Sequence, residues 1–411
     1  MTFVHGKSRA APVAVLVALV AAEVAVLAFR PRHGVLDALP VDAAREFTQT
    51  QLDRARDYRG PQLVLFGGAL AVQGAVLVLL AVRPPRALRR SRRRPVAAAG
   101  LVGAGISLAI VIATLPIDAV MRQRSLDVGL ATRSWGGWAW DVARAATIGA
   151  VFAAMATAAA IALMRRFPGR WWLPASGLVA VAGAALVFAG PLVIDPIFNR
   201  FEELPEGKAR SAVVELAQRA GVEVGDVLVV DASKRTTGAN AYVTGLGSSK
   251  RVVLYDTLLR DFDPRETRLV VAHELAHVRH HDVPRGLLFL LLVAPPAMFA
   301  VARLTRSWSP DSDEPAGPRS VPALTLATAV VVLLVGTVSS QLSRRVEARA
   351  DTYALELTGD PRTFVDQQRR LALQNVSDPD PPRILQTLLG THPTTVQRIG
   401  IARAWEAGER P

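Results

Sequence analysis

The chain contains no cysteine in 411 residues. That excludes a disulfide scaffold, a thiolate nucleophile and any metal site built on sulfur, so a metal centre has only His, Asp and Glu to draw on. Aromatic residues are scarce at 6%, and histidines number only seven. Charged residues make up 20% of a chain that is 51% hydrophobic, and the apolar excess comes from Ala, Val and Leu. Such a composition suits lipid-facing helices better than the varied core of a water-soluble protein, and it excludes intrinsic disorder. Acidic residues are outnumbered, 35 against 48 Lys and Arg, for a net charge of +13. No internal repeat is visible.

What is present in abundance is the long apolar run. Stretches able to cross ~30 Å of hydrocarbon recur along the chain. They run from Ala11 to Phe29, Pro61 to Val82, Val96 to Pro116, Val142 to Met164, Trp172 to Ile194, Gly286 to Val301 and Val321 to Leu342. The sixth is short and carries Pro295 and Pro296. The first is not a cleavable leader by pattern, since no small-residue cleavage site precedes Arg30 and further spans follow. The polar mass lies between and after these runs. Lys208 to Gly221 has the periodicity of an amphipathic helix. Val227–Val230, Asn240–Thr244 and Arg251–Tyr255 read as strands, the last two joined through the turn-rich Gly245-Leu246-Gly247-Ser248-Ser249. Asp263-Pro264 offers a helix start continued by Thr267–Val278, and two more helices are expected at Pro361–Asn375 and Thr395–Ala407. Ser307 to Ser320 reads as a loop between two spans.

The basic residues crowd the loops. Seven arginines lie between Arg83 and Arg94, and Arg165, Arg166 and Arg170 share another short loop. Arginines without interleaved stacking aromatics fit an anionic leaflet and exclude nucleic acid as the partner. Counted with Lys7 and Arg9, twelve basic residues lie on the side opposite the polar domain and nine in the alternate loops. That count leans toward an extracytoplasmic polar domain.

The chemistry concentrates in the helix after Asp263-Pro264, which carries His273-Glu274-Leu275-Ala276-His277. Two His at i and i+4 project from one helix face at the separation Zn²⁺ takes from two imidazoles. Glu274 is placed to remove a proton from water as general base. Two His leave a third ligand to be found. A third His six residues after His277 is excluded, because that position is Val283. His280 and His281 lie too close along the helix and read as polar residues at its membrane-proximal end. The segment after the seventh span, Ser343-Arg344-Arg345-Val346-Glu347-Ala348-Arg349-Ala350-Asp351, places Glu347 and Asp351 on one helical face. Glu347 could ligate there while Asp351 accepts a hydrogen bond from a ligand imidazole. Spacing alone leaves a solvated, charged juxtamembrane helix as an equal alternative.

HELAH followed by SRRVEARAD, with Asn240-Ala241-Tyr242 upstream and Thr391-His392-Pro393 downstream, resembles the integral-membrane zinc metalloproteases. These comprise the type I CAAX prenyl endopeptidases and the HtpX proteases. DPIFNRFEELPEG (Asp195–Gly207), KRVVLYDTLL (Lys250–Leu259) and five spans before the catalytic domain are closer to the CAAX prenyl endopeptidase branch. The resemblance is carried by Asp195 onward; earlier residues match in hydropathy only. It implies one Zn²⁺ per chain on His273, His277 and Glu347, with Asp351 behind a ligand. It also implies Asn240, Ala241 and Tyr242 as a substrate-pairing edge strand, and His392 as an oxyanion-stabilising catalytic residue beside Glu274. Without the resemblance, that strand is ordinary and a His before Pro is a turn residue. Two positions depart from the branch: Ala276, where Gly is common, and Asp282, where His is frequent, so no role is carried over to Asp282. The resemblance implies a cytosolic active site, against the loop count.

The expected fold is therefore mainly α: a multi-pass helical membrane protein of about seven spans with a small α+β zincin-type metalloprotease domain. Residues 1–194 form the first membrane region, 195–285 the metalloprotease domain, 286–342 two further spans, and 343–411 the part carrying the third ligand. The expected function is zinc-dependent endoproteolysis of membrane-associated proteins or peptides. The Arg- and Ala-rich composition points to a bacterial plasma membrane, where HtpX-like quality control is the rival. A catalytically silent scaffold with structural zinc is the rival of another class; it has no need of Glu274.

Overall fold

The computed structural model describes residues 10–85, 94–245, 250–309 and 315–411. Lys7, Arg9, most of the Arg83–Arg94 cluster, the turn at 246–249 and the middle of the Ser307–Ser320 loop lie outside them. In chain order the elements are α1 (Ala10–Phe29), α2 (Ala43–Glu46), α3 (Gln49–Val82), α4 (Pro95–Asp127), α5 (Trp135–Arg166) and α6 (Trp172–Val193). Next come α7 (Asp195–Phe198), β1 (Phe201–Glu203), α8 (Lys208–Arg219), β2 (Asp226–Val230), β3 (Ala241–Thr244), β4 (Arg251–Tyr255), α9 (Asp256–Asp261) and α10 (Pro264–Arg279). The chain closes with α11 (Asp282–Trp308), α12 (Val321–Thr358), α13 (Pro361–Gln374), α14 (Arg383–Leu389) and α15 (Thr395–Glu406).

Among the described residues, seven helices are long and apolar enough to cross a membrane: α1, α3, α4, α5, α6, α11 and α12. Several outrun their apolar cores, because a cap ends a helix and loss of hydrophobicity does not. α3 starts before Pro61, at the capping box between Thr48 and Gln51. α11 passes through Pro295 and Pro296 unbroken, as spans do where neighbouring groups satisfy the freed backbone. Small residues let these helices approach closely. On α1, Ala11, Ala14, Ala18, Ala22 and Ala25 form a buried stripe. Between α4 and α5, a Cβ placed on Gly103 would lie 2.2 Å from Thr157 Oγ1. The Thr157 hydroxyl also donates across to the Ala99 carbonyl at 3.1 Å.

Outside the spans, the four strands run β1-β2-β4-β3, with β2 and β4 parallel and the other pairs antiparallel. β3 is an edge strand. Asn240 O accepts from Tyr255 N at 3.1 Å, so by antiparallel alternation the backbone groups of Ala241 and Val243 point to the open edge. The core outside the spans draws on the segment after α1 too: Leu36, Ala43, Phe47 and Leu52 join the buried cluster built on Leu269, Val271, Leu275, Leu355 and Phe364. Thr352 Oγ1 accepts from Leu36 N at 3.1 Å, and Arg59 donates to Val376 O at 2.7 Å. The first contact ties the α1–α3 connection, and the second the early part of α3, to the polar domain.

Candidate metal centre

α10 is a helix with a defined beginning. Asp263 caps it, Glu266 returns the capping-box hydrogen bond, and Pro264 occupies the first turn. Its buried face, Leu269 to Ala272 with Leu275 and Ala276, fixes the rotation of the helix about its axis. His273 and His277 therefore stand side by side, ring centroids 5.0 Å apart.

The facing residue comes from α12. At ~1.5 Å per residue, the apolar stretch from Val321 to Leu342 measures ~33 Å, about the thickness of the hydrocarbon. The helix does not stop there but continues to Thr358. Glu347 thus stands ~7 Å beyond the apolar edge, on a rigid extension of the span. Its Oε2 lies 3.1 Å from His273 Nε2, and its Oε1 is 3.7 Å from His277 Nε2. Donor atoms of all three residues fall within 4.8 Å of one another. Tetrahedral zinc with bonds of ~2.0–2.2 Å separates its ligands by ~3.3 Å, so the donor set fits the ion.

Each imidazole turns its Nε2 toward Glu347 because its Nδ1–H is engaged elsewhere. His273 donates to Asp351 Oδ1 at 2.8 Å, and His277 to Asp282 Oδ2 at 2.9 Å. Each carboxylate is held in turn by an arginine. Arg398 grips Asp351 with Nε at 2.8 Å and with Nη2, and Arg349 Nη2 binds Asp282 Oδ1. Asp351 is fully buried, and the Arg349 side chain is 7% exposed. Asp282 reaches His277 because His281, between α10 and α11, adopts a left-handed φ of 55° that folds the first residue of α11 back on the metal helix.

The electrostatics favour a cation. Burial presses the His273 imidazole down, yet its hydrogen bonds to Asp351 and Glu347 carry it up to about 10. The field that holds a proton there also attracts Zn²⁺. Burial raises the Glu274 carboxyl above its ordinary value, against the pull of His273 and His277. His392 sits in the loop between α14 and α15, its Nε2 3.3 Å from Glu347 Oε2. Burial lowers its pKa, and Thr391 Oγ1 is 3.0 Å from Nδ1. With the hydroxyl donating, the neutral ring keeps its proton on Nε2, facing the site.

The structure brings His273, Glu274, His277, Glu347, Asp351 and His392 to one place. Asn240 lies exposed just before β3, Ala241 is buried, and Tyr242 donates to Asp195 Oδ2 at 3.4 Å. Three members were not found from sequence: Asp282, Arg349 and Arg398. Asp282 stands five residues past His277 on a different helix, and Arg398 is 125 residues from His273. Arg349, between Glu347 and Asp351, gave no signal in the sequence, because its burial against Asp282 appears only in the structure.

A helical membrane bundle bearing His-Glu-x-x-His, with a carboxylate on a span extension close enough to form one potential metal-binding group with it, defines a membrane zinc metalloendopeptidase. Residues 203–406 match peptidase family M48, and residues 125–200 match the CAAX prenyl protease N-terminal region of five membrane helices. The metalloprotease YhfN of Bacillus subtilis is 32% identical over 301 residues, 72% of this chain and 70% of its own. CAAX prenyl protease 1 of Saccharomyces cerevisiae is 26% identical over about half of each chain, 51% and 50%. The crystal structure of S. mikatae Ste24p shares the fold at a TM-score of 0.73, with 19% identity, over 96% of this chain and 99% of that one. The chain belongs to peptidase family M48, on the CAAX prenyl endopeptidase branch.

Proposed function

We propose that the protein cleaves peptide bonds in membrane-associated proteins or peptides presented just beyond the bilayer edge, as its CAAX prenyl protease relatives are named for doing with CAAX proteins. The observation that carries this reading is the height of Glu347, about one and a half helical turns above the apolar end of α12. In this proposal His273, His277 and Glu347 hold the zinc, which when bound supplies Lewis acidity toward water and the scissile carbonyl. Glu274 takes the proton from water and passes it to the leaving amine. His392 donates from Nε2 to the carbonyl oxygen as negative charge develops. Asp351 and Asp282 keep the two imidazoles in the ligating orientation. The substrate backbone runs along Asn240, Ala241 and Tyr242 at the open edge of β3, taking its main-chain hydrogen bonds from the groups of Ala241 and Val243 that point outward.

We assign the protein to a bacterial plasma membrane, with no nucleic-acid partner, on the basis of its Arg- and Ala-rich composition and its similarity to the Bacillus subtilis protein. The units 1–194, 195–285, 286–342 and 343–411 are taken as two membrane regions alternating with two halves of one catalytic domain; the joint packing of α10, α12, α13 and α15 supports that pairing.

The test is a peptidase assay on purified protein, comparing wild type, Glu274→Ala and a chelated sample on prenylated and unprenylated forms of one peptide. Cleavage by the wild type alone is expected. Equal behaviour of all three samples, with stoichiometric zinc in the wild type, overturns the protease mechanism. The ratio of kcat/KM between the two peptides reads the contribution of the prenyl group.

A further inference from the structure

The end of α13 lies beside the chain that leads into β3, and it is held there by an arginine from a membrane helix. Arg59 on α3 donates from Nη2 to Asn375 O and from Nε to Val376 O, each at 2.7 Å. Asn375 O is one of the carbonyls that a helix end leaves without a partner of its own. Val376 is buried and has a left-handed φ of 45°. A β-branched residue avoids that conformation unless its surroundings impose it, and the Arg59 fork is one of the contacts that do. The turn therefore delivers the two preceding side chains, Gln374 and Asn375, in fixed positions.

Both side chains meet the backbone just before β3. Gln374 Nε2 donates to Thr237 O at 2.7 Å. Asn375 Oδ1 accepts from Ala239 N at 3.1 Å, and its Nδ2 donates to Ala239 O at 3.5 Å. The alternate residues turn the other way: Gly238 O accepts from Thr257 Oγ1 at 2.8 Å, and Asn240 O from Tyr255 N at 3.1 Å. This alternation is that of an extended strand, with the end of α13 standing where a neighbouring strand would stand. It puts Ala239 on the same side as Ala241 and Val243. The Asn375 amide thus occupies the edge at Ala239, directly before the groups offered to substrate. The approach is close: a Cβ on Gly238 would lie 2.8 Å from Asn375 Oδ1.

We infer that Asn375 is a positioning residue for substrate, its side-chain amide pairing with Ala239 so that Asn240, Ala241 and Tyr242 stay extended for strand addition. This role rests on β3 being the strand that substrate pairs with.

The test measures KM and kcat for the prenylated peptide in the full-length protein, with thermal unfolding alongside. The variants are Asn375→Ala, Gly238→Ala, the two combined, and Val243→Pro. Asn375→Ala keeps the main-chain carbonyl that Arg59 binds and removes only the amide. KM is expected to rise ~5-fold with kcat nearly unchanged, the pattern of a lost hydrogen bond that served binding alone. Gly238→Ala, whose methyl displaces the same amide, is expected to do likewise. In the double variant the two effects do not add, because the methyl has no amide left to displace. An unaltered KM in folded Asn375→Ala, or a fall in kcat and melting temperature at constant KM, overturns the proposal. So do additive effects in the double variant. Should Asn375→Ala not fold, Gly238→Ala decides by the same KM criterion. If Val243→Pro raises KM while Asn375→Ala and Gly238→Ala do not, Asn375 alone loses its role. If none of the three raises KM, β3 is not the substrate strand, and the role of Asn375 falls with that reading.

Discussion

Replacing Asp282 with Asn separates the ways in which the metal site is held together. The aspartate accepts two hydrogen bonds on opposite oxygens, from His277 Nδ1 at 2.9 Å and from Arg349 Nη2. Asparagine has one acceptor oxygen, so an amide NH₂ must face either the imidazole or the guanidinium. If it faces His277, the ring loses the partner that fixes its tautomer and rotation. Loss of such a partner costs ~10–100-fold in metal affinity, or ~1.4–2.7 kcal/mol. Arg349 loses its counter-charge in either orientation; with the NH₂ facing it, the nearly buried guanidinium also loses its acceptor there, the arrangement that approaches the ~3–5 kcal/mol cost of an unpaired buried charge. The amide flips to the cheaper arrangement, so the NH₂ faces His277 and the oxygen stays on Arg349; the larger penalty appears in zinc binding, with a smaller loss of stability from the missing counter-charge. The assay is competition for zinc against a chromophoric chelator in detergent micelles, with thermal unfolding measured alongside. The expected result is a zinc dissociation constant raised ~10–100-fold in a protein that remains folded. The double variant Asp282→Asn with Arg349→Gln removes the competing cation and is expected to unfold no earlier than the single variant. Wild-type zinc affinity in folded Asp282→Asn would refute the assignment of Asp282 as the partner that orients His277.

Glu347→Ala is expected to lower zinc occupancy while the helical circular dichroism of the spans stays intact; unchanged zinc content would send the third ligand elsewhere. In the proposed mechanism Glu274 acts as base only when deprotonated, and its pKa is raised by burial. Activity should therefore fall with decreasing pH through a midpoint above the ordinary ~4.3 of glutamate. A midpoint at or below that value in the pH profile of kcat/KM contradicts the role. Val243→Pro removes an N–H that points to the free edge of β3 and leaves the pairing with β4 intact. One lost hydrogen bond of ~1 kcal/mol predicts a ~5-fold rise in KM with kcat nearly unchanged; an unaltered KM would remove β3 from substrate binding.

The sequence by itself determined the parts governed by local rules. Hydropathy counted the spans because backbone groups in hydrocarbon must satisfy one another within a helix. His273 and His277 were readable because helical periodicity alone fixes their separation. Asp263-Pro264 marked the start of α10 because capping is a matter of a few neighbouring residues. Glu347 and Asp351 were readable as a pair on one face, but spacing could not distinguish a ligand from a solvated charge.

Only the tertiary structure decided what faces that pair. α12, long and apolar enough to cross a membrane, continues unbroken to α10, so a span and Glu347 belong to one rigid rod, where the apolar pattern had ended at Leu342. The left-handed turn at His281 brings Asp282 onto His277, and the docking of α15 brings Arg398 onto Asp351. No local pattern encodes either contact, since each depends on how buried faces of separate helices lock together. The absence of cysteine restricted the metal site to nitrogen and oxygen donors; packing chose which of them meet.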